Sequence, residues 1–146
     1  MGQRRVASRA AQWPLLAEFY ANFDDTMVDK TGAVRDFKTP GGPFTFVVIP
    51  IPPGAIIEGG EVTNEGAFTG ATGFTVGLGD SGSANRYLAG TDVKAVGRTP
   101  IIPTGYVSQG ENIEMVLTIA GTATAGKVSV RIWYVIRDRA NEVNPT

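Results

Sequence analysis

Hydrophobic and polar residues alternate most regularly near the C-terminal end of the chain, where they predict two long strands. In residues 111–121, ENIEMVLTIAG, every second side chain is apolar: Ile113, Met115, Leu117 and Ile119. In residues 126–138, GKVSVRIWYVIRD, the corresponding set is Val128, Val130, Ile132, Tyr134 and Ile136. A period of two is typical of a strand with one face in the core. The short link Gly121–Gly126 between the two strands predicts a hairpin.

A third alternating stretch, residues 73–90, has the sequence GFTVGLGDSGSANRYLAG. Phe74, Val76 and Leu78 fall on one face of a predicted strand, and a tight turn around Asp80 follows it. Asp80 is expected to hold this turn through hydrogen bonds to nearby backbone amides, and a calcium site formed with Ser81, Ser83 and Asn85 is the alternative. We also expect Arg86 to pair with Asp80 across the turn.

The remaining strands are shorter and are separated by turn signals. Phe44–Pro50 is apolar on both faces towards its end, which predicts a strand between two packed layers. The other predicted strands are an extended segment from Trp13 to the turn at Asp24–Asp25, a strand over Ala55–Asn64 with a bulge at Gly59–Gly60, and weaker strands over Val93–Arg98 and Ile101–Val107. Residues 29–42 are predicted to form a loop. About eight strands without a helical pattern indicate an all-β fold, an antiparallel, jelly-roll-like β-sandwich with an extended N-terminal arm.

The length of 146 residues suits one domain with a core of its own. We expect a polar, arginine-bearing arm over residues 1–13, the β-sandwich domain over 14–138 and a polar tail over 139–146. The net charge of −1 supplies no field to attract nucleic acid or a membrane, so neither is an expected partner.

The chain contains neither histidine nor cysteine, which excludes Ser-His-Asp and Cys-His sites and removes the commonest zinc ligands. The acidic cluster of Asp24, Asp25 and Asp29 lacks the spacing of a calcium loop and is interpreted as a turn that caps its own amides. Glu58 and Glu61 face opposite sides of a regular strand, which argues against a carboxylate pair for glycoside hydrolysis. We therefore expect no catalytic residue, no cofactor and no metal, and a protein that is not an enzyme.

The candidate partner-binding residues lie on the last strand and in the arm. Trp133 shares a strand face with Arg131 and Arg137, and tryptophan and arginine are enriched in protein interfaces. Ordinary packing and a ligand platform are the alternatives for this face. The arm residues, a second candidate contact with a neighbouring subunit or an acidic surface, are Arg4, Arg5, Arg9 and Trp13.

From Phe44 to Arg137 the chain resembles the small β-sandwich virion proteins of tailed bacteriophages, the decoration (cement) proteins and related head or accessory proteins. The resemblance rests on the strand block FTFVVIPIPPGAIIEGGEVTNEGAF, on a strand ending in Gly-Asp followed by a polar turn, and on Arg-aromatic-Leu after that turn. The residues that carry it are Gly79, Asp80, Arg86, Tyr87, Leu88 and, in the last strand, Tyr134.

This resemblance implies a non-enzymatic homo-oligomer, a trimer or dimer, that decorates and stabilises a phage capsid by binding across subunits of the major capsid protein. It implies a position on the capsid exterior of a virion, after synthesis in the host cytoplasm. Another virion component, such as a head fibre base or a tail protein, is the first alternative. A carbohydrate-binding β-sandwich using Trp133 and Tyr106 is the second.

Overall fold

The computed structural model describes residues 12–137, and this part of the chain forms ten β-strands. They are β1 Leu15–Asn22, β2 Thr26–Val28, β3 Val34–Asp36, β4 Gly41–Ile49, β5 Ala55–Gly66, β6 Gly73–Asp80, β7 Ser83–Asp92, β8 Gly97–Pro100, β9 Ile113–Ala120 and β10 Lys127–Ile136. Within these residues there is no helix with the length and apolar character that a membrane crossing would need.

Eight of the strands form two four-stranded antiparallel sheets packed as a sandwich. One sheet has the order β1-β10-β5-β8 and the other β4-β9-β6-β7, while β2 and β3 form a separate hairpin. Apart from that hairpin, successive strands are distributed between the sheets as in a jelly roll. The predicted fold class is confirmed for the described residues, and the arm and tail boundaries stay predictions.

The core lies between the two sheets and is built from the alternating residues of the central strands. On β9, Ile113, Met115 and Leu117 are fully buried, and on β10 Val130 and Ile132 are fully buried. The inward faces predicted for these two strands are therefore confirmed. Burial of such side chains is the dominant stabilising contribution to a fold of this kind.

The predicted strand that begins at Phe44 is present in the structure as part of β4, but its predicted position between two packed layers is wrong. β4 is an edge strand of its sheet, and the side chain of Val47 is 38% exposed. An irregularity in the register with β9 lies between Val47 and Ile49. Because of it, the consecutive residues Val48 and Ile49 are both buried, and the apolar run does not mark two covered faces.

Three connections differ from the sequence prediction. The link 121–126 is not a hairpin, because β9 and β10 belong to different sheets and the link crosses between them. Residues 101–107 form no strand apart from a single bridge between Val107 and Ile56. Pro103 and Gly105 in this segment explain that difference, since proline cannot donate to a ladder. The predicted loop over 29–42 contains β3, which pairs with β2.

Candidate partner-binding surface

The sheet β1-β10-β5-β8 has one side in the core and one side in solvent, and the solvent side is called here the outer face. Leu16 on β1 lies directly opposite Trp133 on β10, which in turn lies opposite Gly59 on β5. Residues opposite each other in adjacent strands share a face. Leu16 is 57% exposed and Trp133 is 37% exposed, so the two form an apolar row on the outer face.

A β-bulge in β5 positions Trp133. On either side of the bulge Trp133 pairs with Gly59 and Tyr134 with Ile57, so that Glu58 is the extra residue. The predicted bulge is therefore confirmed beside Gly59. A Cβ atom at Gly59 would lie 3.8 Å from Cε3 of Trp133, which shows that the indole ring lies over the glycine.

Charged side chains form the next row of the outer face. Arg131 Nε lies 3.7 Å from Glu18 Oε1, and both side chains are more than 40% exposed. Arg98 on β8 forms an ion pair with the buried carboxylate of Glu61 on β5. The row therefore alternates in sign across the sheet, and the exposed Glu18–Arg131 pair contributes at most about 1 kcal/mol to stability.

The predicted partner-binding residues fall into two groups. Arg131 and Trp133 lie together on the outer face, and Arg137 is exposed just beyond the end of β10. Trp13 is 68% exposed at the start of the described chain. The residues Arg4, Arg5 and Arg9 lie outside the described residues.

The side chain of Gln12 fastens the segment before β1 to the end of β10. Its amide Nε2 donates to the carbonyl of Ile136 (2.7 Å), and its Oε1 accepts from the N–H of Ile136 (2.6 Å). The amide thus copies the pair of hydrogen bonds that one more strand residue would make. Sequence reasoning missed this contact, because a single polar residue before Trp13 gives no signal of its partner.

The turn between β6 and β7 has the predicted geometry. Asp80 Oδ1 accepts hydrogen bonds from the N–H groups of Gly82 and Ser83, both at 2.9 Å. Asp80 Oδ2 accepts from Arg86 Nε at 2.6 Å, which confirms the expected ion pair. Arg86 also donates through Nη2 to Asp80 Oδ1 at 3.2 Å, so the buried carboxylate accepts four hydrogen bonds from three residues, as its burial requires.

Arg86 extends this network to the segment before β9. Its guanidinium lies 3.6 Å from the ring centre of Tyr106, whose hydroxyl donates to Glu111 Oε1 at 2.6 Å. This hydrogen bond, followed by the backbone amides around Glu111, lowers the pKa of Glu111 to about 2. The same bond raises the pKa of Tyr106. Because Arg86 covers a face of the Tyr106 ring, that face is not open to stack on a sugar.

An open depression of about 540 Å³ lies between the β2–β3 hairpin and the β6–β7 turn. Three carboxylates border it, and each is bound to a cation: Asp29 to Arg35, Asp80 to Arg86 and Glu114 to Lys30. Hydrogen bonds, first from Thr31 and then from Arg35, lower the pKa of Asp29 to about 2. Asp29 Oδ1 also accepts from the N–H groups of Thr31 (2.8 Å) and Ala33 (3.1 Å), in keeping with the predicted turn that caps its own amides.

The acidic clusters considered as reactive or metal sites are dispersed in the structure. Asp25 caps the N–H of Asn22 at 2.8 Å, in keeping with the predicted turn. Glu61 is buried against Arg98, whereas Glu58 is exposed on the bulge. In the part of the chain that is described, no three acidic side chains converge to hold a metal ion.

Known structures with a similar fold come from bacteriophage capsids. A chain of the cyanophage Pam1 capsid asymmetric unit superposes with a TM-score of 0.60 at 21% identity, covering 92% of this chain and 94% of that one. A chain in the capsid of Ralstonia phage GP4 gives 0.57 at 16% identity, covering 90% and 89%. A chain in the acidic stable capsid of the Helicobacter pylori bacteriophage KHP30 gives 0.53 at 15% identity, covering 82% and 86%.

No protein-family model matches the sequence, and no curated protein matches it. At these low identities the structural likeness concerns the fold. Since it covers more than four fifths of both chains in each comparison, the likeness extends over most of the sandwich described above.

Proposed function

We propose that this protein is a non-enzymatic structural component of a bacteriophage virion that decorates the outside of the capsid and stabilises it. The observation that carries the proposal is the likeness to chains of three phage capsid structures, each matched over more than four fifths of its length. The three structures are all capsids, which favours a position in the shell over a tail or fibre.

The mechanism that we propose is mechanical. The protein binds across neighbouring subunits of the major capsid protein and buries apolar surface at their boundary. A contact of about 800 Å² on each partner is typical of a specific interface. Repeated over a shell, many such contacts act together and oppose the separation of the subunits.

The outer face offers the residues for this contact. Trp133 and Leu16 provide exposed apolar area, and Arg131 and Arg137 lie beside them. An aromatic side chain surrounded by polar residues is the usual composition of an energetically important interface position. Among residues 12–137 Arg131 forms one ion pair, at 3.7 Å, and its other donors are proposed to bind a capsid carboxylate.

The arm is the second proposed contact. Arg4, Arg5 and Arg9 are proposed to tether the protein to acidic groups of the capsid, with Trp13 between the arm and β1. Contacts between arginines and exposed carboxylates weaken with ionic strength, because salt screens exposed charges.

The proposal is tested by adding purified protein to shells assembled from the major capsid protein alone. We expect saturable binding at a fixed ratio of the two proteins and a higher dissociation temperature of the decorated shell. Trp133→Ala should lower occupancy at least tenfold, without lowering the melting temperature of the free protein by more than a few degrees. Removal of residues 1–11 should also lower occupancy, and more strongly at low salt than at high salt.

Val96→Ala is the matched control, since Val96 is also an exposed apolar residue but lies outside the sheet that carries the outer face. It should leave occupancy unchanged. Failure of the unaltered protein to bind any shell, or full occupancy with Trp133→Ala and with the shortened chain together, would contradict the proposal.

A further inference from the structure

β1 lies at the edge of its sheet, and one side of it has no partner strand in the described structure. The N–H of Phe23 donates to the carbonyl of Gly126, whereas the N–H of Asn22 donates to the side chain of Asp25. In an antiparallel ladder successive residues direct their backbone groups to opposite sides. Leu16, Glu18 and Tyr20 therefore direct their N–H and C=O groups away from β10, and nothing within residues 12–137 pairs with them.

The other three sheet edges are blunted. β4 is covered in part by the β2–β3 hairpin, where the N–H of Lys30 donates to the carbonyl of Thr45 (2.9 Å). β7 departs twice from regular pairing with β6, and β8 has only four residues and ends at Pro100. Soluble proteins use such devices to prevent strand addition. β1 has none of them: its eight residues are in unbroken register and contain one charged side chain and no proline.

We propose that β1 pairs with β1 of a second copy of this chain, antiparallel, around a two-fold axis at Glu18. The arrangement is self-complementary, because Leu16 then lies opposite Tyr20 of the second copy and Tyr20 opposite its Leu16. The backbone groups of Leu16, Glu18 and Tyr20 that point away from β10 then form hydrogen bonds with the second copy. The core-facing side chains of both copies remain on the same side of the sheet. A contact that uses the same surface on both copies closes as a dimer.

The side chains around the axis favour the same pairing. Leu16 is 57% exposed and Tyr20 is 62% exposed, and the pairing places them next to each other on the outer face. Since Leu16 lies beside Trp133, the outer faces of the two copies join into one continuous surface of eight strands. This inference goes beyond the capsid proposal and does not depend on it.

One contact opposes the dimer. The two copies of Glu18 lie opposite each other at the axis, and like charges directly opposite each other destabilise a strand pair. Arg131, 3.7 Å from Glu18, offsets part of this repulsion in each copy. Glu18→Gln should therefore strengthen the dimer, on the order of a few-fold in its dissociation constant. An interface in which Glu18 binds a cation of the other copy would instead be weakened by Glu18→Gln, so the direction of the change distinguishes the two arrangements.

Cysteine cross-linking tests the pairing directly, because the natural chain has no cysteine. In Glu18→Cys, position 18 of one copy forms a hydrogen-bonded pair with position 18 of the other. The Cα atoms of such a pair are about 5.5 Å apart, a separation that a disulfide spans. We expect this variant to form a covalent dimer under mild oxidation or with a short thiol cross-linker. Leu16→Cys and Tyr20→Cys should each form no covalent dimer alone but should cross-link when mixed.

Sedimentation velocity with Glu18→Pro completes the experiment. The N–H of Glu18 faces outward, so proline there removes no bond within the monomer but blocks addition of a strand. We expect a monomer with nearly the melting temperature of the unaltered protein, at concentrations where the unaltered protein is a dimer. A lack of cross-linking in Glu18→Cys, or cross-linking of Leu16→Cys alone, would overturn the inference, and both tests stand even if the proline variant fails to fold.

Discussion

Gly79 shows most clearly how a single residue shapes this molecule. In the ladder between β6 and β7, Leu78 pairs with Leu88 and Asp80 pairs with Ser83. Gly79 of β6 therefore lies opposite four residues of β7, 84–87. The extra residues of β7 lie against the backbone of β6, where a Cβ atom at Gly79 would be 2.1 Å from the carbonyl oxygen of Ser83. A side chain at this position cannot fit without moving backbone.

We therefore predict that Gly79→Ala lowers the free energy of unfolding by about 3 kcal/mol, as overpacking of a rigid site does. Gly73→Ala on the same strand is the control, because its Cβ would meet its nearest neighbour at an ordinary 3.7 Å. It should change stability by less than about 0.5 kcal/mol. Urea denaturation measures both, and equal losses in the two variants would contradict the predicted clash.

At the scale of elements, contacts of Glu111 and Arg86 fasten the long segment between β8 and β9, residues 101–112, to the rest of the sandwich. Glu111 accepts hydrogen bonds from Tyr106 and from the N–H of Gln109 (2.7 Å), and Arg86 of β7 lies over Tyr106. The N–H of Ile102 also donates to the carbonyl of Tyr87 at 2.8 Å. This segment is therefore ordered by contacts with β7 although it is not a strand itself.

The lowered pKa of Glu111 predicts how this anchoring depends on pH. Its pKa of about 2 in the folded protein lies below the ordinary value of 4.5, so its stabilising effect is complete above that value. The effect is lost as the pH falls towards 2. The difference in melting temperature between the unaltered protein and Glu111→Gln should therefore be largest near neutral pH and should shrink between pH 5 and pH 2.

Glu58→Gln serves as the control for this pH series, because Glu58 is exposed on the bulge of β5. It should alter the melting temperature little at any of these pH values. A difference for Glu111→Gln that stays constant down to pH 2 would show that the carboxylate charge is not what fastens the segment.

The elements that sequence analysis predicted correctly are those whose signal is local. β9 and β10 alternate over their whole length, and the Asp80 turn needs only donors within six residues. The β2–β3 hairpin was missed because its strands have three residues each and half-exposed or exposed side chains. The apolar residues of Ile101–Val107 suggested a strand, but Pro103 and Gly105 interrupt it.

The candidate surface was predictable in part. Side chains alternate between the two faces of β10, so the apolar character of Val130 and Ile132 predicts that Arg131 and Trp133 are exposed. The partners across strands, Leu16 for Trp133 and Arg98 for Glu61, depend on the register of residues far apart in sequence. Local patterns contain no information about that register.

At the scale of the whole molecule, one core unites the two sheets. Leu117 of β9 and Val130 of β10 are buried in the same hydrophobic cluster, although their strands lie in different sheets. A change in this cluster therefore affects both sheets together.

Leu117→Ala should lower the free energy of unfolding by about 2–4 kcal/mol, the usual loss for a buried leucine. Thr118→Ala, one residue away but exposed, should have an effect of less than about 0.5 kcal/mol. Urea denaturation should show a single transition for both variants by fluorescence and by circular dichroism. Two separate transitions would mean that the sheets unfold independently.

The pairing of β1 with β10 has a consequence for how the protein withstands force. Leu15 and Tyr134 are opposite each other at one end of this ladder, close to the Gln12 contact with Ile136. A pull that separates residues 12 and 137 therefore acts along the hydrogen bonds, which run across the strands, and loads them one after another. Tension applied through the chain ends would peel β1 from the sheet at low force. Pressure on the sheet faces is instead spread over the packed core, so the protein resists load that enters through its faces better than tension between residues 12 and 137.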